Sequence, residues 1–245
     1  MIKLTFALVR LPGLSREDFQ DYWFNRHGPL VASVSEVLGI RRYVQMHSLP
    51  DAVSEPLRAS RGAPEPYDGV AQLWYDSLED MLTEHDVAKT PYAAPAVKDH
   101  NLFIDDDRSV ACFTDEHPIV EPGGAVPYVL IGCLRRGSGI EPAEFQRAWL
   151  SQANIVRQAH AQGLIEGLVQ NHAHIGNTGN IEGIGSAEEP WDGIETTYFN
   201  SIAGFKTFAA SEIAQKWFEA EKTFIDHERS VYVLTRRHVI KKLVR

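Results

Sequence analysis

Cysteine is nearly absent: 245 residues hold only Cys112 and Cys133. Two thiols, each inside an expected strand, read as free buried groups, which fits a reducing compartment and a cytoplasmic protein. Long apolar runs are also missing. Nothing approaches the roughly 18 consecutive apolar residues that cross a bilayer, and Met1–Phe6 enters an alternating pattern without a basic leader or cleavage site. Positive charge is in deficit, with 24 Lys and Arg against 33 Asp and Glu and a net charge of −9. That balance argues against nucleic-acid and anionic-membrane partners, both of which reward a basic face. There is no Gly-x-Gly-x-x-Gly after a strand, no P-loop and no Gly-x-Ser-x-Gly elbow. His172-Ala173-His174 lacks a third donor at ligand spacing, so no metal is expected.

What the sequence does have is a repeat. Phe19-Gln20 and Trp23 return as Phe145-Gln146 and Trp149, and Val44-Gln45 with His47 as Val169-Gln170 with His172. Tyr67-Asp68-Gly69 matches Trp191-Asp192-Gly193, and Phe103-Ile104-Asp105 matches Phe224-Ile225-Asp226. The order is kept along the whole chain, so the sequence divides into a first repeat at 1–117, a linker at 118–126 rich in Pro and Gly, and a second repeat at 127–245. Each half reads strand, helix, strand, strand, helix, strand. Strand four is expected at Arg108–Thr114 and Arg229–Arg236. Ser15 with Asp18 forms a capping-box-like helix start, and Phe19, Trp23, His27, Leu30 and Val34 share one helical face. The order is that of the split βαβ, or ferredoxin-like, unit. A unit of this kind covers one face of its sheet with helices and leaves the other bare. Two units packed sheet to sheet predict an α+β fold, an intramolecular α+β barrel with a cavity between the sheets.

The runs Leu11-Pro12-Gly13-Leu14-Ser15, Asp21-Tyr22-Trp23, Asn25-Arg26-His27-Gly28-Pro29-Leu30, Tyr43-Val44-Gln45 and Tyr67-Asp68-Gly69-Val70 resemble the EthD domain family of dimeric α/β barrels. The first half matches nearly end to end. The second departs where the family has Arg-His-Gly-Pro-Leu and this chain has Gln152-Ala153-Asn154-Ile155-Val156. The resemblance implies breakdown of ethers and aromatic compounds, decarboxylation of polyketide acids, or lactone isomerisation, with haem enzymes among the wider relatives.

His27 is the leading catalytic candidate. It lies on the buried face of its helix, a following Pro29 kinks the axis, and imidazole titrates near neutral pH. Its counterpart Ala153 shows that the fold does not require a histidine there. Alternation along strand two puts Arg41, Tyr43, Gln45 and His47 on one face, expected to line the cavity, with Gln170 and His172 matching them in the second repeat. Strand three points Gln72 and Trp74 the same way, with Tyr198 in the other copy, and the aromatic rings favour a flat ligand. The expected catalytic residues are therefore His27, Tyr43 and His47. Trp23, Arg41, Gln45, Gln72, Trp74, Gln170, His172 and Tyr198 are expected to bind substrate. The function expected is a cofactor-independent lyase, a decarboxylase of a phenolic or aromatic catabolic acid. The alternatives are an isomerase of a lactone or ring-cleavage intermediate, a non-catalytic small-molecule carrier, and a haem binder. The partner is a small aromatic molecule, and barrel edges leave room for a homodimer. One functional pocket per chain is expected, in the first repeat.

Overall fold

The computed structural model describes residues 1–81, 91, 93–174 and 190–242. Eight antiparallel strands close into a barrel in the order β1-β3-β2-β8-β5-β7-β6-β4. The first repeat supplies β1 (Ile2–Leu8), β2 (Arg42–Ser48), β3 (Gly69–Tyr75) and β4 (Val110–Val120); the second supplies β5 (Tyr128–Leu134), β6 (Gly167–Ala173), β7 (Gly193–Phe199) and β8 (Val231–Lys241). Outside lie α1 (Arg16–Tyr22), a π turn (Trp23–His27), α2 (Gly28–Val34), α3 (Asp51–Arg61), α4 (Ala94–Lys98), α5 (Pro142–Ser151), α6 (Ala153–Ala161), α7 (Ile202–Ala209) and α8 (Glu212–Glu221). The expected Ser15 cap is present, accepting from the Asp18 amide, and Ser201 and Ser211 cap α7 and α8 in the same way through the amides of Gly204 and Ala214. Residues 78–81 are helical after the Ser77 cap, and 82–90 lie outside the described residues.

The fourth strands run five or six residues past their expected ends, and the reason is closure. Residues 114–120 of β4 pair with β6, and 235–241 of β8 pair with β2, so these extensions stitch each repeat to the other. A closed barrel has no free strand edge. Among the described residues the barrel therefore leaves no exposed strand edge of the kind expected to favour a homodimer.

The barrel interior is filled rather than hollow. Val44, Met46, Val70, Trp74, Cys112, Val129, Ile131, Cys133, Val169, Ile194 and Tyr198 share one buried cluster, and both cysteines are free thiols. Lys3 reaches into it, bonded to Asn171 Oδ1 at 2.6 Å and paired with Glu116. Burial draws the Lys3 ammonium down to about 8 against the pull of Glu116. No helix among the described residues is long and apolar enough to cross a membrane.

The repeated residues have repeated jobs. Gln20 and Gln146 donate to the carbonyls of Ser48 and Ala173 at 2.9 Å, tying each first helix to the end of its strand. Asp68 and Asp192 clamp Arg10 and Arg136 through both backbone amide and guanidinium. His47 stacks on Trp23 with ring centres 4.7 Å apart, and His172 on Trp149 at 4.8 Å. Each histidine also meets one from the other repeat across a seam, His47 with His238 at 4.5 Å and His172 with His117 at 4.3 Å. Burial, then the neighbouring His238, draws His47 down to about 3; burial, then His117, draws His172 down to about 4. A histidine with a depressed folded pKa binds fewer protons than the unfolded chain, so its stabilisation is full above about 6.5 and is lost as pH falls toward those values. The urea midpoint of the wild type should therefore fall more steeply between pH 6.5 and 4 than that of a His47→Gln/His172→Gln variant. Parallel curves for the two proteins would mean the seam histidines do not carry acid lability.

Candidate active site

The first repeat holds a cavity of about 140 Å³ between the outer face of its sheet and the helices, walled by Leu4, Phe6 and Leu8 of β1, Ala71, Leu73 and Tyr75 of β3, and Val31 of α2. Its polar lining is His27, Tyr43 and His100, with Trp23 at one wall.

The chain around His27 explains its placement. Pro29 has no N–H to continue the helical ladder, and the Gly28 amide instead bonds five residues back to the Trp23 carbonyl. That single π turn, a feature common at functional sites, carries Trp23 and His27 inward together. Gln45 donates to the same carbonyl at 2.9 Å. In the second repeat the helix is interrupted at Gln152 by a one-residue turn instead, and Gln170 donates to the Trp149 carbonyl at 2.8 Å.

His27 Nδ1 lies 2.9 Å from Asp99 Oδ2, and the other carboxylate oxygen accepts from the Tyr22 hydroxyl at 2.9 Å. Asp99 opens a 3₁₀ turn, Asp99–Leu102, between α4 and β4. A carboxylate at Nδ1 fixes the tautomer with the proton there and leaves Nε2 as a lone pair. Burial lowers the His27 pKa although Asp99 opposes it. Burial thus favours the neutral imidazole, with its lone pair at Nε2. His100, the next residue after Asp99, faces the same cavity with its Nε2 2.9 Å from Asp106.

Tyr43 is held by a buried network. Its oxygen accepts from Trp23 Nε1 and from Gln45 Nε2, both at 3.0 Å, and Gln45 Oε1 accepts from His47 Nε2 at 3.0 Å. The Tyr43 proton finds no acceptor among the described residues. Burial pushes the phenol up to about 12, so it stays a donor. Tyr43→Phe should cost about 1–3 kcal/mol by leaving the Trp23 and Gln45 donors unpaired. A chemical-denaturation midpoint unchanged from wild type would show the network to be slack.

The strand-two assignment has its faces reversed. Tyr43, Gln45 and His47 point at the helices, and Val44 and Met46 fill the barrel. Because the site itself lies under the helices, Tyr43 and Trp23 still reach it. His47 does not line the cavity; it stacks on Trp23 and orients Gln45. Gln170 and His172 make the same latch in the second repeat, His172 Nε2 lying 3.1 Å from Gln170 Oε1. Arg41 is half exposed and pairs with Asp76. The strand-three faces are as expected, but the barrel interior is core and not a ligand cavity. Trp74 donates to Glu116 at 2.9 Å between the cations of Lys3 and Arg42, Gln72 reaches Thr5 at 3.5 Å, and Tyr198 is buried among apolar neighbours. Asp99 and His100 escaped the sequence reading, since a 3₁₀ turn carries no periodicity. Aligning the repeats on Phe103 and Phe224 sets them against Ala220 and Glu221, the same kind of contrast that singled out His27.

Fold and site together define a tandem ferredoxin-like α+β barrel in which the first repeat sets the His27–Asp99 pair at a cavity under its helices. The chain belongs to the EthD domain family, whose model matches residues 11–107 and 137–228. It is 31% identical over 133 residues to a conidial pigment biosynthesis dehydratase EthD of Metarhizium robertsii, covering 52% of this chain and 90% of that protein. A decarboxylase of Passalora fulva, claH, is 28% identical over 112 residues, covering 43% of this chain and 70% of that protein. Among solved structures, an anthrone oxidase-like protein superposes with a TM-score of 0.58 at 9% identity, covering 99% of this chain and 94% of that one, and this shows the shared fold.

Proposed function

We propose that the chain is a cofactor-independent lyase that eliminates water from a small, neutral, ring-forming hydroxy ketone, with His27 moving the proton. The observation that carries the reading is the His27–Asp99 pair, bonded through Nδ1, at the wall of a mainly apolar cavity. Nε2 takes a proton from the carbon beside the carbonyl, the Tyr43 hydroxyl donates to the developing enolate oxygen, and the imidazolium returns its proton to the leaving hydroxyl. One proton leaves carbon and one water departs, so the sum balances. A volume near 140 Å³ suits a single ring, since an engineered cavity of about 150 Å³ takes benzene.

Decarboxylation of a hydroxyaryl acid is the second reading, supported by the relative named a decarboxylase. Dehydration is favoured because no Lys or Arg is among the described residues lining the cavity to receive a carboxylate. The test is incubation in D₂O with a panel of single-ring β-hydroxy ketones and hydroxybenzoates, following aromatic absorbance, CO₂ and deuterium at carbon. Water loss with deuterium entering beside the ketone supports the first reading, and CO₂ release alone replaces it with the second. No turnover and no exchange across the panel would leave a carrier.

A further inference from the structure

The second repeat also has a pocket under its helices, and the larger one, about 500 Å³. It is the pseudo-symmetric counterpart of the His27 cavity, and the two differ along one row of the sheet. In the first repeat Phe6 stands between Ala71 and Ala111 on the neighbouring strands, a large residue flanked by two small ones. The second repeat inverts the pattern: Gly132 takes the place of Phe6, Glu195 that of Ala71 and Tyr232 that of Ala111. Residues directly opposite in antiparallel strands share a face, so Glu195 and Tyr232 flank the glycine on one side of the sheet, and both line the pocket. A Cβ at Gly132 would lie 3.5 Å from Glu195 Cβ and 3.2 Å from the Tyr232 ring. The row therefore sets a carboxyl and a phenol against the pocket with no side chain between them. Phe205, Phe208, Trp217 and, from α3 of the first repeat, Leu57 wall the space.

Both groups are held by donors. Glu195 Oε1 accepts from the Thr197 hydroxyl at 3.0 Å, and the Trp149 indole N–H bonds the same carboxyl. A carboxylate has about four acceptor sites, so two donors leave it able to take a proton. Burial lifts its pKa, which makes it a stronger base than an exposed glutamate. The Arg61 guanidinium bonds the Tyr232 oxygen, and His227 Nδ1 lies 2.6 Å from it. Burial draws His227 down to about 4, so its imidazole is neutral at pH 7. His227 Nε2 faces Glu221 Oε2 at 3.9 Å, and burial, then Glu195, pushes the Glu221 carboxyl up to about 8. A protonated Glu221 suits a bare Nε2, which puts the imidazole proton on Nδ1, donating to Tyr232. With both lone pairs of the phenol oxygen taken, its own hydrogen is left for the pocket.

We propose that this pocket is a second proton-transfer site, one that enolises a fused-ring ketone: Glu195 takes the proton from the carbon beside the carbonyl, and Tyr232 donates to the oxygen as charge gathers there. A carboxylate base facing a phenol donor across an apolar site is an arrangement suited to ketone enolisation. The carbon–hydrogen bond breaks, its proton moves to Glu195, and return of that proton or of one from solvent restores the ketone, so no other reactant is needed. The fused rings follow from the volume, more than three times that of the His27 cavity, and from the aromatic wall. His27 takes no part, and the site does not depend on the lyase reading of the other pocket.

The experiment follows entry of deuterium beside the carbonyl of 2-tetralone, a two-ring ketone, in D₂O at pH 7. Every protein tested is the full chain carrying His27→Ala, so that the first pocket is silenced. This chain should exchange the probe faster than buffer, with saturation. Adding Glu195→Gln should cut kcat by about 10²–10⁴-fold, and Tyr232→Phe by about 10²-fold, with KM held within about threefold in both. His227→Leu, which removes the donor behind the phenol, should lower kcat by about tenfold at the same KM, the worth of one hydrogen bond. If Glu195→Gln does not fold, Glu195→Ala, which copies Ala71, carries the same expectation. No exchange above buffer in the His27→Ala chain, or an undiminished kcat in the folded Glu195 or Tyr232 variant, would each overturn the proposal.

Discussion

Replacing His27 with Ala is expected to cut turnover, or carbon-bound deuterium exchange, by about 10²–10⁴-fold, the usual worth of a positioned general acid or base. The melt should move far less. His27 gives up one hydrogen bond to Asp99, and Asp99 keeps the Tyr22 hydroxyl. A loss near 1 kcal/mol lowers the melting temperature of a chain this size by only about 2–4 °C. Asp99→Asn should lie between: Nε2 survives, but the carboxylate that holds the tautomer and steadies the imidazolium is gone. Normal turnover in a His27→Ala protein that melts well below wild type would assign the histidine to the core.

A second large effect, on stability, belongs to Gly69. A Cβ built there would sit 2.4 Å from the Trp23 ring and 3.2 Å from the Met46 carbonyl, and Gly193 stands in the same relation to Trp149, again at 2.4 Å. Trp23 has no easy retreat, being stacked on His47 and bonded to Tyr43. Gly69→Ala should therefore cost about 1–3 kcal/mol through overpacking, roughly 2–12 °C of melting temperature. It should also depress turnover, because the displaced indole walls the His27 cavity. Gly193→Ala should melt as low while turning over normally. A Gly69→Ala protein with a wild-type melt would mean that the indole has room the structure does not show.

The duplication, the helix caps and the strand-three faces were legible because each rests on local chemistry repeated twice. The strand-two faces were not. Alternation separates two sets of residues but cannot say which set faces helices when both sides are covered. Here the apolar pair Val44 and Met46 fills the barrel, while the helical side carries Tyr43, Gln45 and His47 as a network around the Trp23 carbonyl at the π turn. Helix α3 was hidden for another reason. It follows Pro50 and contains Pro56, signals that usually end a helix, yet its first-turn Asp51 and the left-handed Gly62 after it are ordinary helix punctuation.

The strand extensions that close the barrel change what concentration can do. Two separate subunits sharing such seams would fall apart on dilution, and their stability would follow mass action. Here both seams lie within one covalent chain, β2 with β8 and β4 with β6. Unfolding is first order, so the melting temperature should be independent of protein concentration. The same tether fixes the two pockets at one apiece, and because neither copy must serve as its own mirror image, a substitution such as Ala153 or Glu195 is never imposed on both halves at once. Covalent linkage is what lets the two halves of one barrel carry different side chains at matching positions.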